Sequence, residues 1–218
     1  MAYPTVNAPY GLKPINLYGG TPFAGATRQY QIASAYNTSI FYGDVVEMIN
    51  DGTIIKSAIT TARATVTTSQ VIGVFLGCSY VNAQGQTIFA QYFPANTAAP
   101  TGTTITAFVC NDPNTLFKVV IAAGATPNDA TSGLLPSSTT QYTVIGTNVA
   151  LVQNTGSTST GDSKVAVASS ATTGTLPMNV VDVVPETSYV NGSGNVVYPE
   201  LIVRWNFEIH TTTIASGV

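Results

Sequence analysis

The chain has 218 residues, long enough to bury a substantial core in one large all-β domain or two small ones. Hydrophobic residues make up 44%, and charged residues only 8% against about 25% in typical soluble domains, so the charge-rich signature of disorder is absent. The net charge is −3 and the seven Lys and Arg are scattered singly, which leaves no basic stripe for phosphates and disfavours nucleic acid as a partner. No apolar run approaches the roughly 18 residues of a membrane span, so no membrane partner is expected.

Residues 1–27 read as an extended N-terminal arm. MAYPTVNAPYGLKP has no apolar segment ahead of its prolines, so it does not read as a signal peptide, and a cytoplasmic origin is expected. Pro4, Pro9, Pro14 and Pro22 favour extended backbone at and before themselves, and Gly11, Gly19, Gly20 and Gly25 interrupt any helix. Tyr10, Leu12, Ile15, Leu17, Tyr18 and Phe23 are too apolar for a solvated linker. With Pro9 they are the expected interface of the arm, which we expect to reach a neighbouring chain in preference to lying along its own body. Tyr3, Tyr10, Tyr18, Tyr30, Tyr36 and Tyr42 all fall in the first 42 residues, a concentration that suits an interface. Tyr30 and Tyr42 fit equally well as half-buried strand residues.

Residues 28–218 read as the β-rich body, with a subdivision near 123–140 left open. Short strands are expected at 29–33 and 39–42. The stretch GDVVEMINDGTIIK, residues 43–56, then forms a hairpin around Asn50-Asp51-Gly52. A Thr-rich strand is expected over 62–70. VIGVFLGCSY, residues 71–80, is the most apolar run, and Gly73 and Gly77 within it signal a bulge or a close backbone approach. A turn over 82–86 returns the chain through 87–93, and further strands are expected at 103–110 and 116–122 around a turn at 112–114. Residues 123–140 read as a long loop, 142–152 as a bent strand or strand pair, and QNTGSTSTGDS (153–163) as an exposed, mobile loop. Strands at 164–168, 178–184, 196–198 and 201–209 complete the set. In the last, Leu201, Val203, Trp205, Phe207 and Ile209 alternate with Ile202, Arg204, Asn206 and Glu208. Val74, Phe75, Val203, Trp205 and Phe207 are the expected core. Many short strands at regular spacing, with no helical period, predict an all-β fold, a small barrel or sandwich.

Sites of chemistry are hard to assemble from this sequence. His210, the single histidine, ends a strand without a nucleophile elbow. Asp44, Glu47, Asp51 and Lys56 frame a hairpin, and the other carboxylates are dispersed, each with a local structural explanation. Cys78 and Cys110 sit inside apolar strands and are expected to be reduced, and with one His they cannot frame a metal site. The Gly19–Gly25 stretch lacks the Lys-Ser/Thr ending of a phosphate loop. No catalytic, cofactor-binding or metal-binding residues are therefore expected.

The run GDVVEMINDGTIIK followed by VIGVFLGCSY resembles bacteriophage capsid decoration (cement) proteins. In these, G-D-V-V opens a strand, a turn precedes T-I-x-K, and a G-V-F/A strand follows. The corresponding residues here are 43–46, 53–56 and 73–75. NAPYGLKPINLYGGTPFAGATRQY and TAFVCNDPNTLFKV are similar to virion structural proteins of phages. The resemblance implies a small β-barrel or sandwich on the capsid surface of a virion, assembled in the host cytoplasm. It implies a homo-oligomer, a trimer by preference, that clamps the major capsid protein and performs no catalysis. Alternatives that the residues leave open are a tail-tube or other head–tail subunit, and a carbohydrate- or receptor-binding β module.

Overall fold

The computed structural model describes residues 8–60, 69–121, 144–171, 174–184, 186, 189–190, 196–197 and 200–206. In chain order the strands are β1 (Lys13–Leu17), β2 (Arg28–Ile32), β3 (Val45–Ile49), β4 (Ile54–Lys56), β5 (Ser69–Val81), β6 (Thr87–Ala90) and β7 (Ile105–Cys110). They continue as β8 (Thr115–Val120), β9 (Asn148–Val152), β10 (Ala166–Ala171), β11 (Met178–Val184), β12 (Tyr189–Val190), β13 (Val196–Val197) and β14 (Glu200–Trp205). The fold is all-β, two antiparallel sheets packed together.

The first sheet runs β1-β8-β14-β11-β9-β10 and the second β2-β7-β5-β3-β4, with β6 on the far half of β5; β12 and β13 form a separate ribbon. Both sheets curl. A parallel bridge joins Gln31, on one border strand of the second sheet, to Thr53 beside the other. In the first sheet Ile121, just past β8, bridges Val167 on β10. Each strand path thus bends back toward its start, which shortens the open edges without closing them. The chain changes sheet at the turn over 111–114, ahead of the loop at 123–140, which lies outside the described residues.

The long strand β5 shows why the two internal glycines are there. The register against β7 shifts between Phe75 and Gly77, and that against β3 between Val46 and Glu47. Gly73 and Gly77 have φ of 153° and 144°, and a methyl group at Gly73 would land on the carbonyl oxygen of Cys110. The bulge and the close approach expected from the sequence are both present. Inside the second sheet Ile32, Ile72, Phe75, Phe93 and Ile105 form one core. The other core is shared: Val45, Val74 and Cys110 of the second sheet meet Phe117, Val149, Val203 and Trp205 of the first. Val74, Phe75, Val203 and Trp205 are buried as expected, with Trp205 edge-on to Phe117 at 6.0 Å. Phe207 and His210 lie outside the described residues, as does most of the Thr-rich stretch 62–70, whose last two residues begin β5.

Two expectations are corrected. Residues 39–42 make two isolated bridges, Ile40 to Phe93 and Tyr42 to Asp162, and no strand. The 153–163 segment is held at several points: Tyr42 and Gly161, and Ser163 and Tyr42, exchange backbone hydrogen bonds, and Ser163 is fully buried. Its small residues permit this, since a side chain at Gly156 would collide with the Phe41 ring. The expected arm is described from residue 8 onward, and within the chain that part packs along its own body. β1 is antiparallel to β8, with Lys13 opposite Lys118 and Leu17 opposite Thr115.

Candidate interaction surface

Three of the four charges that frame the 43–56 hairpin, Asp44, Glu47 and Lys56, turn inward. Asp44 is fully buried, and its carboxylate accepts hydrogen bonds from Phe41 N (2.8 Å) and Ser163 Oγ (2.6 Å), with Lys56 Nζ 3.0 Å away. Burial pushes this carboxyl above its ordinary range, while Lys56 and the hydrogen bonds act in the opposite direction. Glu47, also buried, accepts from the Ser57 hydroxyl. Asp51 stays outside and caps the turn, accepting from Thr53 N at 2.8 Å and Thr53 Oγ1 at 2.7 Å, bonds that lower its pKa. A third buried carboxylate, Glu200, lies 3.2 Å from Lys118 Nζ and accepts from the Tyr10 hydroxyl. Burial, and then Glu200, raises the pKa of that phenol, which stays a donor. Each of these groups is occupied in joining strands. Among the described residues no group of three or more His, Cys, Asp or Glu could hold a metal ion. Both cysteines are free and buried, and burial pushes the Cys78 thiol up to about 12.

The expected arm residues divide between core and surface. Leu12 has no exposure and fills the shared core, so within the chain it is a core residue and not a surface one. Tyr10 packs with Val120 and Ala166, and Phe23 packs against the shared core. Pro9, Ile15 and Leu17 are half-buried. Tyr18 alone among them is largely exposed, at 57%, and carries the Arg204 guanidinium 4.8 Å above its ring.

The most exposed large apolar side chain among the described residues is Phe89, at 76%. It stands on β6, opposite Ser79 of β5, beside a shallow hollow lined by Leu76, Gly77, Ala90 and Phe108. Among the described residues β6 pairs only with β5. The sequence reading passed over Phe89, although the signal was present. In TIFAQ the residues at 87, 89 and 91 share a face, and a phenylalanine between Thr87 and Gln91 occupies the polar phase of the strand. A second depression, of about 450 Å³, is walled by Asn37, Ser39, Phe41, Ala95 and Asn154, with Lys56 as its charged residue.

No protein-family model, no curated protein and no solved structure matches this chain.

Proposed function

We propose that the chain is a non-enzymatic virion structural protein, a capsid decoration (cement) protein that binds the outside of a phage head as a homo-oligomer, by preference a trimer, and stabilises contacts between copies of the major capsid protein. The observation that carries this reading is the apolar surface around Phe89, on a body whose buried carboxylates are all engaged in holding strands together. The resemblance of residues 43–56 and 73–75 to decoration proteins supports the choice of partner. A phenylalanine moved from water into a protein contact gains about 1.5–3 kcal/mol, which is weak for a single copy. Many copies on one lattice add up through multivalency, so a modest patch suffices for a cement.

The test is stoichiometry followed by binding. Mass spectrometry of purified particles should find the chain in numbers comparable to the major capsid protein; a ratio many-fold lower points to a tail or fibre component. Purified protein added to heads that lack it should raise the temperature at which they rupture, and the Phe89→Ser protein should do so less. Self-assembly into tubes or clear hits on a glycan array would replace this reading with one of its alternatives.

A further inference from the structure

The N-terminal segment is attached to the fold in an unusual way. Residues 8–23 form a unit of their own: β1 is followed by a return in which Leu17 N donates to Thr21 O, Phe23 N donates to Ile15 O, and Asn16 bridges Pro22. What holds this unit lies far along the chain. β1 pairs with β8, Gly11 N donates to Val165 O at 3.1 Å, Leu12 N donates to Gly43 O at 3.0 Å, and the Tyr10 hydroxyl donates to Glu200. Leu12 fills the shared core. The unit belongs to the first sheet, yet the next strand, β2, belongs to the second. Only Ala24-Gly25-Ala26-Thr27 joins the two. All four residues are exposed, Gly25 has φ of 80°, and no hydrogen bond is found on any of them among the described residues. An open cleft separates Ala26–Arg28 from the turn Asn111–Pro113.

We propose that residues 8–23 are an exchangeable unit, and that its second acceptor is another copy of this chain, which receives it along the same β8 edge. Every contact that β1, Leu12 and Tyr10 make with residues 43, 115–120, 165 and 200 is available, unchanged, from a second copy. The balance between the two arrangements is therefore set by the hinge and the protein concentration, not by the quality of the contacts. Reciprocal exchange gives a dimer and cyclic exchange gives a closed ring such as a trimer. The hinge is short: four residues span at most about 14 Å, and loss of two removes about half of the reach available for closure on the same body. The inference stands apart from the capsid reading. It is measured on the isolated protein, and its failure leaves the head-binding experiment untouched.

Asn16 and Leu116 face each other across β1 and β8, which supplies a direct test. Full-length Asn16→Cys and Leu116→Cys proteins are mixed, concentrated and oxidised. Exchange predicts a disulfide-linked heterodimer on a non-reducing gel, at a yield at least five-fold above that of either protein alone. Yields equal to those of the single proteins overturn the proposal. Deletion of Gly25 and Ala26 should move the chain from monomer toward dimer or trimer in light scattering, with an unchanged far-ultraviolet spectrum. A folded monomer from that deletion also overturns it. If the deletion fails to fold, the cysteine pair decides alone, since neither of its substitutions alters the hinge.

Discussion

Lys56→Met removes an ammonium group and keeps most of the stem that packs beside Phe41. In the native protein Lys56 Nζ lies 3.0 Å from a carboxylate that is fully buried, and its own side chain is only 15% exposed. Removing one partner of a buried pair costs about 3–5 kcal/mol, because the other charge is left without compensation. Phe41 N and Ser163 Oγ still donate to Asp44, so the expected loss sits at the lower end, about 3 kcal/mol near pH 7. Its pH dependence has a defined sign. The folded-state pKa of Asp44 is already raised above the ordinary 3.8 by burial, and losing Lys56 raises it further. A raised folded pKa means that the native state holds a proton that the unfolded chain has released. That contribution is fully present below the unfolded value and is lost as pH rises through the folded one, by at most about 1.4 kcal/mol per pH unit. The gap between native protein and variant should therefore be small near pH 4 and widen toward pH 7. Carboxylates unaffected by the substitution titrate alike in both and cancel. Urea unfolding followed by Trp205 fluorescence at several pH values measures the gap. The Asp44→Asn, Lys56→Met double variant should be more stable than Lys56→Met alone at neutral pH. A gap below about 1 kcal/mol at pH 7, or one that does not change with pH, would refute the reasoning.

Other substitutions probe the remaining joints. Gly73→Ala drives a methyl group onto the Cys110 carbonyl at a φ that side chains rarely adopt, and should cost about 3 kcal/mol or more in urea unfolding, against less than about 1 kcal/mol for Gly19→Ala, where a methyl group meets nothing and φ is not positive. Leu12→Ala should lower stability by about 2–5 kcal/mol in the same assay, as expected for a residue inside the core and not for one on a free arm. Tyr10→Phe leaves Glu200 with Lys118 and should cost about 1–3 kcal/mol, measured by chemical unfolding. Phe89→Ser should change the unfolding midpoint little while it weakens binding to heads in a co-sedimentation assay.

Features that rest on near neighbours were legible in the sequence. The alternation in LIVRW appears as buried Leu201, Val203 and Trp205 between half-buried Ile202 and Arg204. The turns at 50–52, 82–86 and 112–114 are fixed by Asp51, Asn82 and Asp112, whose side chains accept from backbone amides two to four residues away. What escaped depends on partners remote in the chain. Asp44 is buried because Ser163 and Lys56 meet it, and nothing in GDVVEM announces a serine 119 residues further on. The apolar side chains of residues 10–23 showed that the segment must be covered, but not that its own β8 edge and core would cover it. The composition of QNTGSTSTGDS suggested solvent, whereas its small residues are what allow Gly156 against Phe41 and Ser163 inside the fold.

A chain this poor in charge places three of its carboxylates where solvation is worst, and that choice needs a reason. Net stability is a weak one, since buried ion pairs seldom exceed the apolar residues that could replace them. Position in the fold is better. Asp44, ahead of β3 in the second sheet, holds Ser163 at the entry to β10 in the first, while Glu200 on β14 gathers Lys118 from β8 and Tyr10 from the N-terminal segment. Each carboxylate joins pieces that hydrophobic contact alone could join in several registers, because apolar packing is non-directional and hydrogen bonds are not. The result is a body whose strands are fixed before any partner arrives. A surface such as that around Phe89, carried on strands set in this way, would lose little conformational freedom on docking; that lowers one cost of association, while the translational and rotational cost remains and calls for many copies acting together.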